Sequence, residues 1–219
     1  MRRLLTLLFI LLPLEAGAQD LDNELLGIRL DWSRYDTALI LDETAHETRI
    51  THVVVMLNEP LGQHLYSGLR LGYVDISQND NPAVAGLDVS GNSLGIRLGA
   101  FLMHNDAIDL ILQGDYDYLR TNGEEEDQEV DFDWTQTNIQ LAATLKLGWV
   151  RLFGSRYRYN IDGDQKLRGT INSTTRFDQA KNTGTSVGIE FQVDPTGYIG
   201  IHTESGAREG TVLTFVREF

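Results

Sequence analysis

The chain has 219 residues, no cysteine, and 18 basic against 32 acidic side chains, for a net charge of −14. The missing cysteine excludes a lipoprotein anchor, disulfide staples and thiol chemistry. The acidic excess excludes nucleic acid as a partner, because phosphate binding needs basic stripes.

Residues 1–18 read as a signal peptide and 19–219 as one domain. Arg2 and Arg3 precede an apolar run from Leu4 to Leu14, broken only by Thr6 and Pro13, and Ala16-Gly17-Ala18 supplies the small residues of a cleavage site. Losing Arg2, Arg3 and Glu15 removes a net +1, which leaves −15 on the remainder. The run is too short to span a bilayer as a helix, and no later segment has the roughly 18 apolar residues a spanning helix needs.

From residue 25 onward the recurring pattern is alternation with period two, which predicts strands. Leu26, Ile28, Leu30 and Trp32 alternate with Gly27, Arg29, Asp31 and Ser33. Leu94 to Leu102, Ile108 to Tyr118, Ile139 to Leu147 and Val187 to Val193 repeat the arrangement, with apolar residues opposite a charged, polar or glycine face. Ten strands are expected, at 25–34, 48–57, 65–77, 93–103, 107–119, 134–147, 149–160, 184–193, 198–204 and 210–219. Gly206 and Gly210 argue for a turn within the last hairpin. Long polar loops are expected at Gln78 to Asn92, Thr121 to Asp133 and Ile161 to Gly184, alternating with short turns. If Ala38 to Asp42 and Lys166 to Phe177 add strands they must do so together, giving twelve.

The fold class this predicts is all-β, a closed antiparallel up-and-down transmembrane β-barrel in the outer membrane of a Gram-negative cell. Bases at Arg29, Arg70, Arg97, Lys146, Arg156 and Arg158, and acids at Asp31, Asp109, Asp115, Asp117, Glu190 and Glu204, lie opposite the apolar face and are expected to line the lumen. Two aromatic girdles are expected. Trp32, Tyr73, Tyr116, Tyr118, Trp134, Tyr157 and Tyr159 would mark the long-loop side, and Trp149, Phe153, Tyr198 and Phe215 the short-turn side. The last strand, Thr211 to Phe219, resembles the assembly signal of outer-membrane β-barrel proteins, in which a C-terminal aromatic closes an alternating strand. Arg217 departs from that pattern. The resemblance implies that barrel-assembly machinery is a partner, alongside outer-membrane lipid and lipopolysaccharide. Asp36-Thr37-Ala38 resembles the YfaZ-type family of small outer-membrane proteins, which implies no activity.

Candidate chemistry is sparse. Asp115 and Asp117, with His202 and Glu204, could hold and activate a water. The set resembles the omptin outer-membrane proteases, which have ten strands and an outward-facing site, but omptins are longer and have Asp-x-His where this chain has His202-x-Glu204. Seven acids fall within Glu124 to Asp133, and Glu124, Glu125, Glu126 and Asp127 are the candidates for weak divalent-cation capture. No cofactor is implied. The preferred expectation is a monomeric structural or surface-interaction barrel with a lumen plugged by its own charges. The alternatives are a narrow solute channel and a barrel hydrolase.

Overall fold

The computed structural model describes residues 27–78, 80, 81, 84, 87–125, 128–169 and 172–219. The expected signal peptide and its cleavage site lie outside the described residues. Eleven strands are present among those residues: β1 Gly27–Leu41, β2 Thr44–Pro60, β3 Leu65–Ser77, β4 Val89–His104, β5 Ile108–Glu125, β6 Gln128–Leu147, β7 Val150–Gly169, β8 Ser173–Gln179, β9 Thr183–Asp194, β10 Gly197–Gly206 and β11 Glu209–Glu218. All described pairings are antiparallel, and β11 pairs with β1 to close the ring.

The count is neither the ten nor the twelve expected, yet the ring itself has ten members. β8 and β9 both run antiparallel to β7 along the same edge, β8 beside Asp162 to Leu167 and β9 beside Val150 to Arg158. The Tyr159 N–H donates to the Asn182 carbonyl and continues the ladder between them (2.8 Å). They form one interrupted strand, so the parity required by closure is kept. The interruption lies where the far edge changes partner. β9 pairs with β10, whereas β8 pairs with Leu39 to Leu41 at the outer end of β1. The β10–β11 hairpin is therefore short, and its tip at Ala207 is tucked beneath β8. The Ala207 carbonyl accepts from Thr37 Oγ1 (2.9 Å) and Gln179 Nε2 (2.7 Å).

The short turns fall where alternation breaks, around 61–64, 105–107, 148–149 and 195–196. Two of the expected long loops are mostly strand. The β5–β6 ladder continues to Glu125 opposite Gln128, and β7 runs on to Gly169. Ala38 to Leu41 extends β1 and then turns through Asp42 and Glu43, both at positive φ.

One hydrogen-bonded row gives the tilt. From Gly154 it passes through Val187, Thr203, Thr211 and Arg34, and returns to β7 at Lys166, twelve residues nearer the outer end. Such an offset over ten strands corresponds to a strand tilt of about 40°. Below the outer end, Leu, Ile and Val side chains project outward all round the ring and stay exposed, Leu98 at 51% and Ile139 at 61%. A belt of this kind is stable only against lipid.

The interior has two zones. Within the belt it holds charged and polar groups. Above the belt, the same inward positions hold Leu39, Val74, Leu119, Val130, Phe132, Trp134, Ile161 and Phe177, all buried in one cluster. Phe132 and Trp134 meet Phe177 of β8 edge-on, with ring centroids 5.9 and 6.5 Å apart. The outer end is thus an apolar collar, and β8 supplies one of its walls.

The girdles need a matching correction. Trp32, Tyr73, Tyr116 and Tyr118 face outward near the outer edge, and Trp149 and Phe215 are exposed towards the short-turn side. Trp134, Tyr157, Tyr159 and Tyr198 are buried inside instead, and Phe153 lies against His202 in the lumen (4.5 Å). Arg217, the departure in the last strand, is ion-paired with Asp194 at the β9–β10 turn (2.6 Å).

Candidate functional site: a charged lumen beneath an apolar collar

The lumen network starts at alternate inward positions of neighbouring strands, which bring long side chains across from wall to wall. Arg97 of β4 grips Asp115 of β5 with two bonds, Nε to Oδ1 at 2.6 Å and Nη2 to Oδ2 at 3.1 Å. Arg70 of β3 reaches over to Asp117 at 2.7 Å and to Asp115 at 3.5 Å. Asn138 Nδ2 donates to Asp115 Oδ2 (3.2 Å). The crossing is possible because β4 carries glycine between them. A Cβ on Gly95 would lie 1.9 Å from Asp117 Oδ1.

Arg29 pairs with Asp31 (2.8 Å), which also accepts from Thr214 Oγ1. Glu190 Oε1 lies 3.2 Å from His202 Nε2, without hydrogen-bond alignment. At the lower rim Asp109 takes both Lys146 (2.9 Å) and His104 (2.7 Å). Buried charges are tolerated when paired and hydrogen-bonded in this way.

Ten of the twelve residues expected to line the lumen lie on its inner face: Arg29, Asp31, Arg70, Arg97, Asp109, Asp115, Asp117, Lys146, Glu190 and Glu204. Arg156 and Arg158 do not. They point outward from β7, while Tyr157 and Tyr159 between and beside them are buried. Two bases that alternation did not assign take their place inside. Arg151 lies over the Tyr198 ring (3.5 Å) and contacts Glu218 (3.4 Å). Arg208, from the tucked hairpin tip, pairs with Glu204 and stands over three rings: Tyr159 at 4.4 Å, Tyr157 at 5.0 Å and Tyr35 at 5.3 Å. No sequence signal marks Arg208, since a turn residue carries no strand parity.

Asp115, Asp117, His202 and Glu204 do line one cavity, of about 110 Å³. A second cavity of about 180 Å³ lies below it, and Arg29, Arg97, Gln113 and Phe153 border both. The barrel-hydrolase alternative expects these four residues at an outward-facing site. In the structure the Asp pair is held by Arg70, Arg97 and Asn138, and the collar cluster occupies the interior above them.

The acidic stretch is also rearranged. Glu124 is exposed on β5; Glu126 and Asp127, and the Glu125 side chain, lie outside the described residues. Among the described residues no three metal-ligating side chains come together. Of the described acids in the stretch, Glu129 and Asp131 pair with Arg168 (3.3 and 3.1 Å) and Asp133 with Lys166 (2.9 Å). Burial works to raise the Asp133 carboxyl, but the Lys166 hydrogen bond (2.9 Å) and charge, with Arg120, hold it below the usual range. On β7 the Arg176 hydrogen bond holds Asp162 low. Its register partner Asp178, on β8, is pushed up by its hydrogen bond to Asp162.

No family model matches the chain, and neither does the sequence of any curated protein. Solved structures do share its fold. The translocator domain of the autotransporter NalP from Neisseria meningitidis is similar with a TM-score of 0.52 at 10% identity, over 100% of this chain and 94% of that one. The outer membrane protease OmpT from Escherichia coli is similar with a TM-score of 0.53 at 8% identity, over 92% of this chain and 96% of that one. At such identities the likeness concerns the fold alone. Together with the lipid-facing belt it leads to one conclusion: the chain is a β-barrel of the Gram-negative outer-membrane type.

Proposed function

We propose that this barrel is closed to solutes and acts at the cell surface or in envelope integrity, through its acidic outer collar. The observation that carries the reading is the apolar cluster across the outer end of the lumen, centred on Phe132, Trp134 and Phe177. Beneath it the lumen charges are engaged with one another, which suits a self-paired plug better than an ion-selective ring. The two small lumen cavities support the same reading. Its expected partners are outer-membrane lipid, lipopolysaccharide, and the assembly machinery acting on β11. The YfaZ-type likeness at Asp36-Thr37-Ala38 is compatible with this role and adds no activity.

Conductance in planar bilayers tests it. The intact barrel is expected to give no discrete openings. Replacing both Phe132 and Phe177 with alanine is expected to produce flickering openings, because the collar then loses its central contacts. Stepwise conductance from the unaltered protein would establish a narrow solute channel instead.

A further inference from the structure

Arg156 and Arg158 are anomalous on the outer face of β7. Both are exposed, and neither has an ion-pair or hydrogen-bond partner among the described residues. Their register neighbours are apolar or neutral: Leu141 and Ile139 on β6, Thr185 and Thr183 on β9. The nearest outward acid along β7, Asp162, is engaged by Arg176.

Their height makes this costly. A row tilted by about 40° climbs roughly 3 Å per strand from β7 towards β1, so Arg158 comes level with Arg34, the residue just above Trp32. Arg156 is one outward position lower, at the level of the belt's upper apolar side chains. A lipid-facing arginine is destabilising by an amount that grows with depth, up to about 2–4 kcal/mol at the midplane. Snorkelling recovers part of that cost. A phosphate recovers more, because guanidinium groups bind it bidentately.

A second feature lies directly beneath. An added Cβ at Gly154 would meet nothing within 4 Å, and Gly154 faces Ala143 in register. The two small residues leave a shallow hollow in the belt below the arginines. Lys181, also exposed and without a partner among the described residues, follows β8 just above them.

We infer that Arg156 and Arg158, with Lys181, hold the phosphate of an outer-leaflet phosphorylated glycolipid whose acyl chain rests over Gly154 and Ala143. The inference depends on the membrane-barrel fold and not on whether the lumen is closed.

The test uses the full barrel in detergent, with thermal unfolding and native mass spectrometry as readouts. Bisphosphorylated lipid A is expected to raise the melting temperature and to remain bound, whereas fully dephosphorylated lipid A is not. Arg156→Gln with Arg158→Gln should weaken retention about tenfold or more, the loss of a charge-assisted contact. Arg156→Lys with Arg158→Lys should keep part of it, and Arg176→Gln on the collar all of it. Heat-modifiable gel mobility checks that each variant is folded. Equal retention by the glutamine variant, equal binding of dephosphorylated lipid, or the same stabilisation by inorganic phosphate would each overturn the proposal. So would a dimer that dissociates in the glutamine variant, which would make this face a contact between copies.

Discussion

The belt and the collar are built from the same strands with opposite polarity. On β6 the even-numbered residues face inward throughout its length. They read Val130, Phe132 and Trp134 in the collar, then Gln136, Asn138 and Gln140 in the belt. The outward odd positions change the other way, from Glu129, Asp131 and Asp133 to Ile139, Leu141 and Leu145. The backbone does not change register; the solvent does. Where lipid surrounds the ring, apolar groups go out and charges are gathered inside. Where water surrounds it, the apolar groups go in and form a core like that of a soluble protein. One barrel thus solves two burial problems along each strand, and the junction lies near Arg208 and its three tyrosines.

This contrast can be broken most severely from the inside. In the collar, Phe132→Ala should cost about 3–5 kcal/mol, as for other buried rings, and should show as a lower urea midpoint and faster proteolysis near β8. In the belt, Asp115→Ala should cost a similar amount, about 3–5 kcal/mol, because it strands the Arg97 guanidinium in the lumen. Replacing Arg97 and Asp115 together with Met and Leu should recover most of that loss. The same urea measurement decides whether the network is a stability element or a specificity element.

Outward substitutions should then separate the zones by depth. Leu98→Arg, within the belt, is expected to cost up to about 2–4 kcal/mol in folding titrations into bilayers. Glu129→Gln, on the collar surface, should stay within about 0.5 kcal/mol. Equal effects at these two positions would mean that the belt boundary is misplaced.

The smallest expected effect concerns β8 and pH. The raised Asp178 carboxyl favours the folded collar while it holds its proton, and that contribution is lost as pH rises through its raised value, above about pH 4. Asp162, held low, behaves oppositely and contributes until pH falls below its ordinary range. At neutral pH both are charged and face each other in register. Asp178→Asn should therefore slow cleavage within β8 at pH 7, by about twofold at most given its exposure, and should have little effect near pH 4.

Much of the architecture was legible in the residues. The clean alternation of Leu94 to Leu102 and Ile139 to Leu147 predicts strands with a lipid face, and both behave so. Ten of the twelve residues named for the lumen sit on its inner face for the same reason. The misses cluster where alternation carries two apolar sets. On β7, Val150 and Leu152 occupy even positions, while Phe153, Tyr157, Tyr159 and Ile161 occupy odd ones. Read as a lipid face, the tyrosines send Arg156 and Arg158 inward; the ring places them the other way because the tyrosines belong to the collar core. The acidic run from Glu124 to Asp133 reads as a loop by charge alone. Its described residues are strand because Val130 and Phe132 between the acids have a core to enter.

The sequence by itself determined that the chain alternates, that it closes without helices of membrane length, and that apolar and charged faces are segregated strand by strand. Period two fixes which residues share a face, but it carries no label for inside or outside. Only the closed ring supplies that label, because it decides at each height whether a face meets lipid, water or the opposite wall. The same closure placed β8 across the outer end, carried Arg208 inward from a turn, and left Arg156 and Arg158 on the lipid side.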